Sequence, residues 1–193
     1  SLGVENFDER ILAINGRAHG SREIHQAWEW IQAQDFPQVN IDLIAGMLEE
    51  SDKNWRRCVE LTVEMRPQSV TVYQMEVPFN TTIFQSMKEE GRLTAPVADW
   101  PTKRRWVDYA FRELEKVGYE VVSSYTAVRR GTRGSFVYRD ALWRGADLLS
   151  LGVSSFGHIN GTHLQNEQNL GQYLERVQAG ELPIQRTLSP SRK

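Results

Sequence analysis

Val39 to Gly46, read V-N-I-D-L-I-A-G, decides the fold. Val39, Ile41 and Ile44, with Leu43, are the β-branched and aliphatic types that suit a strand covered on both faces, and Gly46 punctuates its end. Asp42 breaks the pattern. An ionised carboxylate in a sheet core costs several kcal/mol unless it is partnered, so Asp42 should face a cation, a ligand hydroxyl or a cap. At the carboxyl end of a parallel strand the usual partner is a ligand; satisfaction by neighbouring backbone N–H groups is the competing reading.

Working outward, the same alternation of strand and helix patterns recurs. Upstream, Leu2 to Phe7 reads as the tail of a strand, and Ile11, Leu12 and Ile14 pack one helical turn ended by Asn15 and Gly16. Ser21 is the expected N-cap of a helix to about Gln34, with Ile24, Ala27, Trp28 and Ile31 at i, i+3, i+4 and i+7. His25 falls off that stripe and reads as surface. Downstream, Glu49 to Asn54 is a charged loop in which Ser51 caps a helix carrying Trp55, Cys58, Leu61, Thr62 and Met65 on one face, stopped by Pro67. Ser69 to Val77 is a third strand, with Gln74 and Glu76 near its end. Asp99 and Pro101 open a long helix buried through Val107, Ala110, Phe111 and Leu114, and Gly118 closes it.

Tyr119 to Val128 reads as a fourth strand. After it, Arg129, Arg130 and Arg133 gather around Gly131 and Gly134, a grouping that suits a propionate or phosphate or, alternatively, a solvated loop. Asp147 to Phe156 is a last apolar segment, Asn160-Gly161 a hairpin turn, and Gln165 or Asn166 the start of a final helix ended by Gly180. Alternating strands and helices with long connections predict a parallel α/β sheet or barrel.

With 193 residues and a formal charge of −2, the chain can bury one sizeable core and carries no basic excess pointing to nucleic acid. Cys58 is the sole cysteine, which excludes an internal disulfide and any cysteine-ligated cluster or zinc site built by this chain alone. A cytoplasmic setting follows as the default, and no apolar run approaches the ~18 residues of a membrane span. His19, His25, His158 and His163 form no metal-binding spacing, and phosphate-loop, dinucleotide and nucleophile-elbow motifs are absent. By position, the strand ends carry Asp42, Gln74, Glu76 and Ser154. Their chemistry is not visible from spacing.

Five blocks do carry a resemblance: S-L-G-V-E-N-F-D-E-R-I-L-A-I-N-G-R-A-H (Ser1 to His19), N-I-D-L-I-A-G (Asn40 to Gly46), S-V-T-V-Y-Q (Ser69 to Gln74), G-Y-E (Gly118 to Glu120) and L-W-R-G-A-D-L-L-S-L-G-V-S-S (Leu142 to Ser155). In this order they resemble the oxygen-independent coproporphyrinogen III oxidase family of radical S-adenosylmethionine enzymes. The resemblance implies the second half of a partial parallel (β/α) barrel, residues 1–128, and a small α+β extension, residues 129–193, ending before the family's C-terminal domain. It also implies that the cysteine loop holding a four-iron four-sulfur cluster lies outside this chain, which is then expected to be inactive and cluster-free by itself.

By the same resemblance Arg17 and Asp42 match residues that hold S-adenosylmethionine. Glu5 stands where the family usually has glutamine, and Glu76 and Phe156 fall where relatives place small or aliphatic residues near the cofactor. Arg129, Arg130 and Arg133 become candidates for substrate carboxylates. Two departures bear on the substrate: Met47, Leu48 and Glu49 replace a glycine-proline-glutamine sequence, and Tyr138 and Arg139 replace a histidine-asparagine pair. The implied activity is porphyrinogen oxidation in porphyrin biosynthesis, the alternative a haem-binding or haem-trafficking protein. A porphyrinogen or haem-like partner follows, together with self-association through a truncated barrel edge.

Overall fold

The structure, a computed structural model, describes residues 1–77, 85, 88, 89, 91, 97–132 and 137–190, with Val137 described by its backbone alone. β2 (Asn40–Ala45) pairs in parallel with β1 (Leu2–Glu5) on one side and β3 (Ser69–Gln74) on the other. Its two faces differ because the pleat alternates. Ile41, Leu43 and Ala45 are at most 1% exposed and enter the core. Asn40, Asp42 and Ile44 take the other face, in register with Ser69, Thr71 and Tyr73 of β3.

The core is closed by helices laid on the apolar face. α1 (Glu9–Ile14) starts at Asp8, whose carboxylate accepts from the amides of Arg10 and Ile11. α2 (Ser21–Ala33) has Gly20 rather than Ser21 as N-cap, since Glu23 reaches back to accept from the Gly20 amide at 3.0 Å, and of its expected stripe only Ile24 is fully buried. α3 (Asp52–Met65) is capped by Ser51 and buries Trp55, Cys58, Val59 and Thr62. α4 (Trp100–Lys116) is capped by Asp99 and buries Trp106, Val107, Ala110 and Leu114. Trp55 and Trp106 stack at 6.1 Å where α3 meets α4, and the Trp55 indole donates to the Trp106 carbonyl at 2.8 Å. Buried indoles need such a partner.

Tyr119 to Val128 is not one strand. It folds back as β4 (Tyr119–Val121) and β5 (Thr126–Arg129), an antiparallel hairpin whose β5 also pairs antiparallel with β3. Ser123 makes the turn, its hydroxyl accepting from the amides of Tyr125 and Thr126 at 3.3 and 3.1 Å. The five-stranded sheet is therefore mixed, ordered β1-β2-β3-β5-β4, with β1, β2 and β3 parallel.

The chain divides into two compact units, Ser1–Gly134 and Ser135–Lys193. In the second, α5 (Val137–Trp143) precedes an antiparallel sheet of β6 (Phe156–Ile159), β7 (Thr162–Asn166) and β8 (Ile184–Leu188). Asn160 and Gly161, at φ 47° and 77°, form the expected two-residue turn. Asp147 to Phe156 is largely irregular, with Leu149 and Leu151 72% and 81% exposed. The strand runs through Asn166, so α6 (Leu170–Gln178) begins later than expected, capped by Asn169. Among the described residues no helix is long and apolar enough to cross a membrane.

Candidate functional site

The first unit carries polar side chains at the carboxyl ends of β1 and β3 and at Asp42, which is the third of the six residues of β2 and not at the strand end expected of it. Glu5, the last residue of β1, sits at φ 62°, a left-handed conformation uncommon for a residue with a Cβ. Its carboxylate lies 2.6 Å from Arg17 Nε, and both groups are largely buried. The contact is off the N–H direction. Glu5 Oε2 and Arg17 Nε consequently form an ion pair without an aligned hydrogen bond, and both atoms keep unmet bonding capacity.

Asp42 is half-buried on β2, and burial raises its carboxyl above the ordinary range. Asn40 partners it. The Asn40 amide donates to Asp42 at 2.7 Å and to the Ser1 hydroxyl at 3.1 Å, while its carbonyl oxygen accepts from Ser69 and Thr71 at 2.8 and 3.2 Å. Backbone N–H groups, the expected partners if Asp42 were purely structural, are replaced by a side-chain amide. The carboxylate is thus fixed in direction by Asn40, with the Thr71 and Ser1 hydroxyls beside it.

A second network fixes the loop after β2. Glu50 accepts from the amides of Gly46 and Met47 at 2.6 and 3.1 Å and from the Asn6 amide at 2.9 Å. Asn6, fully buried, also donates to Asn54 and accepts from the Asp8 amide and the Cys58 thiol. Burial pushes the Glu50 carboxyl up to about 8 against the pull of those three N–H donors. Asn15 closes the other side, exchanging hydrogen bonds with the Leu48 backbone. Met47, Leu48 and Glu49 therefore lie in a pinned turn. Sequence reasoning missed Asn6, Asn40 and Glu50; only a polar residue inside or just beside an apolar strand signals the first two, and nothing in the charged run Glu49 to Asn54 singles out Glu50.

Beside this network, Tyr73, Gln74, Glu76, Trp100 and Tyr125 line an open cleft of ≈ 380 Å³ at the end of β3. Glu76 is exposed, and the Gln74 side-chain oxygen is buried without a partner. Lys103 lies beside Trp100: its Nζ donates to the Met75 carbonyl at 2.6 Å and lies 4.5 Å from the Trp100 ring centre. Cys58 is 1% exposed, burial pushes its thiol up to about 12, and it packs in the core as a small apolar side chain. No group of three or more His, Cys, Asp or Glu among the described residues could hold a metal ion.

The structure brings Glu5, Arg17 and Asp42 onto neighbouring strands and the segment that follows them, with Glu76 just beyond β3. Arg129 is elsewhere. Because β5 runs antiparallel, its end meets the start of β3, where the Arg129 guanidinium donates to the Arg66 carbonyl at 2.9 Å, and Arg130 follows it. Arg133 lies outside the described residues. Phe156 begins β6 in the second unit and is 69% exposed.

No family model matches the chain. Among curated proteins it is 25% identical to the haem chaperone HemW of Synechocystis over 93% of this chain and 42% of that protein. It is 26% identical to the oxygen-independent coproporphyrinogen III oxidase of Thermostichus vulcanus over 93% of this chain and 57% of that protein. A HemW of Mycobacterium tuberculosis is 28% identical over 95% of the chain and 46% of its own length. The chain thus spans about half the length of the curated relatives it matches. Coproporphyrinogen III oxidase (HemN) of Escherichia coli, a radical SAM enzyme, matches with a TM-score of 0.77 at 20% identity, over 98% of this chain and 45% of that one. The fold is that portion of the HemN fold, and the resemblance read from the sequence blocks holds in the names of the relatives.

Proposed function

We propose that this chain forms the S-adenosylmethionine-holding part of a radical oxidoreductase acting on a porphyrinogen. The observation that supports it is the set of unmet polar groups at the carboxyl ends of β1 and β3: Glu5 Oε2, Arg17 Nε and Gln74 Oε1, buried and without aligned hydrogen bonds. A zwitterionic amino-acid ligand matches the first two charge for charge. Its ammonium would take Glu5, its carboxylate Arg17, and neither buried charge would be left uncompensated as their mutual contact opens. Asp42, held by Asn40, would accept from ribose hydroxyls, and Gln74 from an N–H of the ligand.

Bound S-adenosylmethionine, when reduced, supplies hydrogen-atom abstraction; the side chains orient it and exclude water. Tyr73, Trp100 and Tyr125 give the neighbouring cleft its aromatic walls. One buried thiol does not fit a four-iron cluster, so the cluster would be ligated by residues outside this chain. Division of the chain into a half-barrel and an extension belongs to the same proposal.

A second reading, a haem carrier without turnover, is favoured by the relatives named HemW. The test uses the full-length protein, reconstituted anaerobically. Substrate-dependent release of deoxyadenosine is the expected result; stable haem binding without it would support the carrier.

A further inference from the structure

The second unit presents a sheet face that the proposed cofactor site does not use. Along β6, β7 and β8 the registered rows Phe156, Gln165, Arg186 and His158, His163, Leu188 share one face. Phe156 and Leu188 are 69% and 64% exposed, and His163 and Arg186 are exposed as well. On the opposite face the approach is close at Gly157, where a Cβ would meet the Ser150 hydroxyl at 2.8 Å. A shallow cleft of ≈ 290 Å³ on these strands includes Phe156, His163, Arg186 and Leu188.

His158 and His163 are the unusual pair. His158 turns its backbone groups away from β7, exchanging hydrogen bonds with Leu148, so the two histidines form the close, non-hydrogen-bonded type of cross-strand pair. Their rings stack with centres 4.8 Å apart. His158 is the more buried partner and braces the ring of His163, which stands outermost.

We infer that this face binds an iron porphyrin, with His163 as axial ligand to the iron, Phe156 and Leu188 against the macrocycle, and Arg186 on a propionate. An imidazole rising from a sheet sets the plane it ligates roughly parallel to that sheet, and three strands span about 10 Å, the width of a macrocycle rather than of a bare ion. Neutral imidazole is a normal axial ligand of haem iron. The guanidinium adds the cation that a propionate-bearing ring requires, and Arg186 has no carboxylate partner among the described residues. This inference rests on the tetrapyrrole reading above and gives it a second site.

Titration of the full-length protein with haemin, followed by absorbance, tests it. The expected result is a saturable one-to-one Soret shift that His163→Ala abolishes or weakens at least tenfold, that His158→Ala weakens less, and that Arg186→Gln weakens severalfold for haemin but not for its dimethyl ester. Retention of the wild-type Soret band and affinity by His163→Ala would overturn the inference, as would tight zinc binding that needs both histidines while haemin does not bind. Deoxyadenosine release, measured in the same variants, separates the two proposals: full turnover without any haemin site removes this inference and leaves the proposed function standing.

Discussion

Glu50 shows how one carboxyl couples the candidate site to pH. Its folded value of about 8 lies above the ordinary 4.5 of a glutamate, so the folded state holds the proton more tightly than the unfolded chain. Stability therefore falls as pH rises between about 4.5 and about 8, on the order of 5 kcal/mol across the window. Asp42, raised by burial, contributes with the same sign from the ordinary aspartate range upward. Glu50→Gln keeps an oxygen for the Gly46 and Met47 amides and removes the titration. Urea unfolding at pH 5.5 and 8.5 should show a marked loss of stability at the higher pH in the wild type and a flattened dependence in the variant; equal slopes would mean that Glu50 is ionised throughout.

At the scale of elements, the turn leaving β2 depends on Gly46. It lies at φ 95°, and an added Cβ would come within 2.7 Å of the Lys103 stem. Gly46→Ala should cost about 2–3 kcal/mol, combining left-handed strain with a clash against a side chain pinned by the Met75 carbonyl. A shift of the denaturation midpoint measures it, and an unchanged midpoint would show that Lys103 swings clear. Gly46 and the alternating strand before it were legible because a run of β-branched and aliphatic residues and a terminal glycine are local signals. So were Ser51, Asp99 and the Asn160-Gly161 turn, where the chemistry of the cap or turn sits in the residues themselves. The β4–β5 hairpin was hidden, since Val121 to Thr126 carries no glycine or proline and its turn is made by the Ser123 hydroxyl. Leu149 and Leu151 misled in the other direction, because apolar character does not say which side of a surface a residue ends on. Of the site, Asp42 announced itself as a charge in an apolar strand; Glu5 and Arg17 came only through the resemblance, and the supports were hidden because Asn6 meets Glu50 and Asn54, and Asn40 meets Ser69 and Thr71, across 29 to 48 residues of sequence.

For the whole molecule, β1 is an edge strand: among the described residues only β2 pairs with it, and its register shifts between Gly3 and Glu5, which leaves Leu2 and Gly3 as the regular part of the edge. An open edge invites pairing with a second copy. We expect this 193-residue chain in isolation to self-associate, which light scattering over a dilution series would reveal; a monodisperse monomer at high concentration would mean that the edge is protected.

The claim on which the functional account stands is that Glu5, Arg17 and Asp42 together form a cofactor site, and calorimetric titration of the full-length protein with S-adenosylmethionine tests it most directly. Saturable binding should weaken by ~1–3 kcal/mol in Asp42→Ala and by a similar amount in Arg17→Ala, the cost of removing one partner of a buried polar contact. Affinities unchanged in both variants would contradict the account and leave Asp42 and the Glu5–Arg17 pair as supports of the sheet alone.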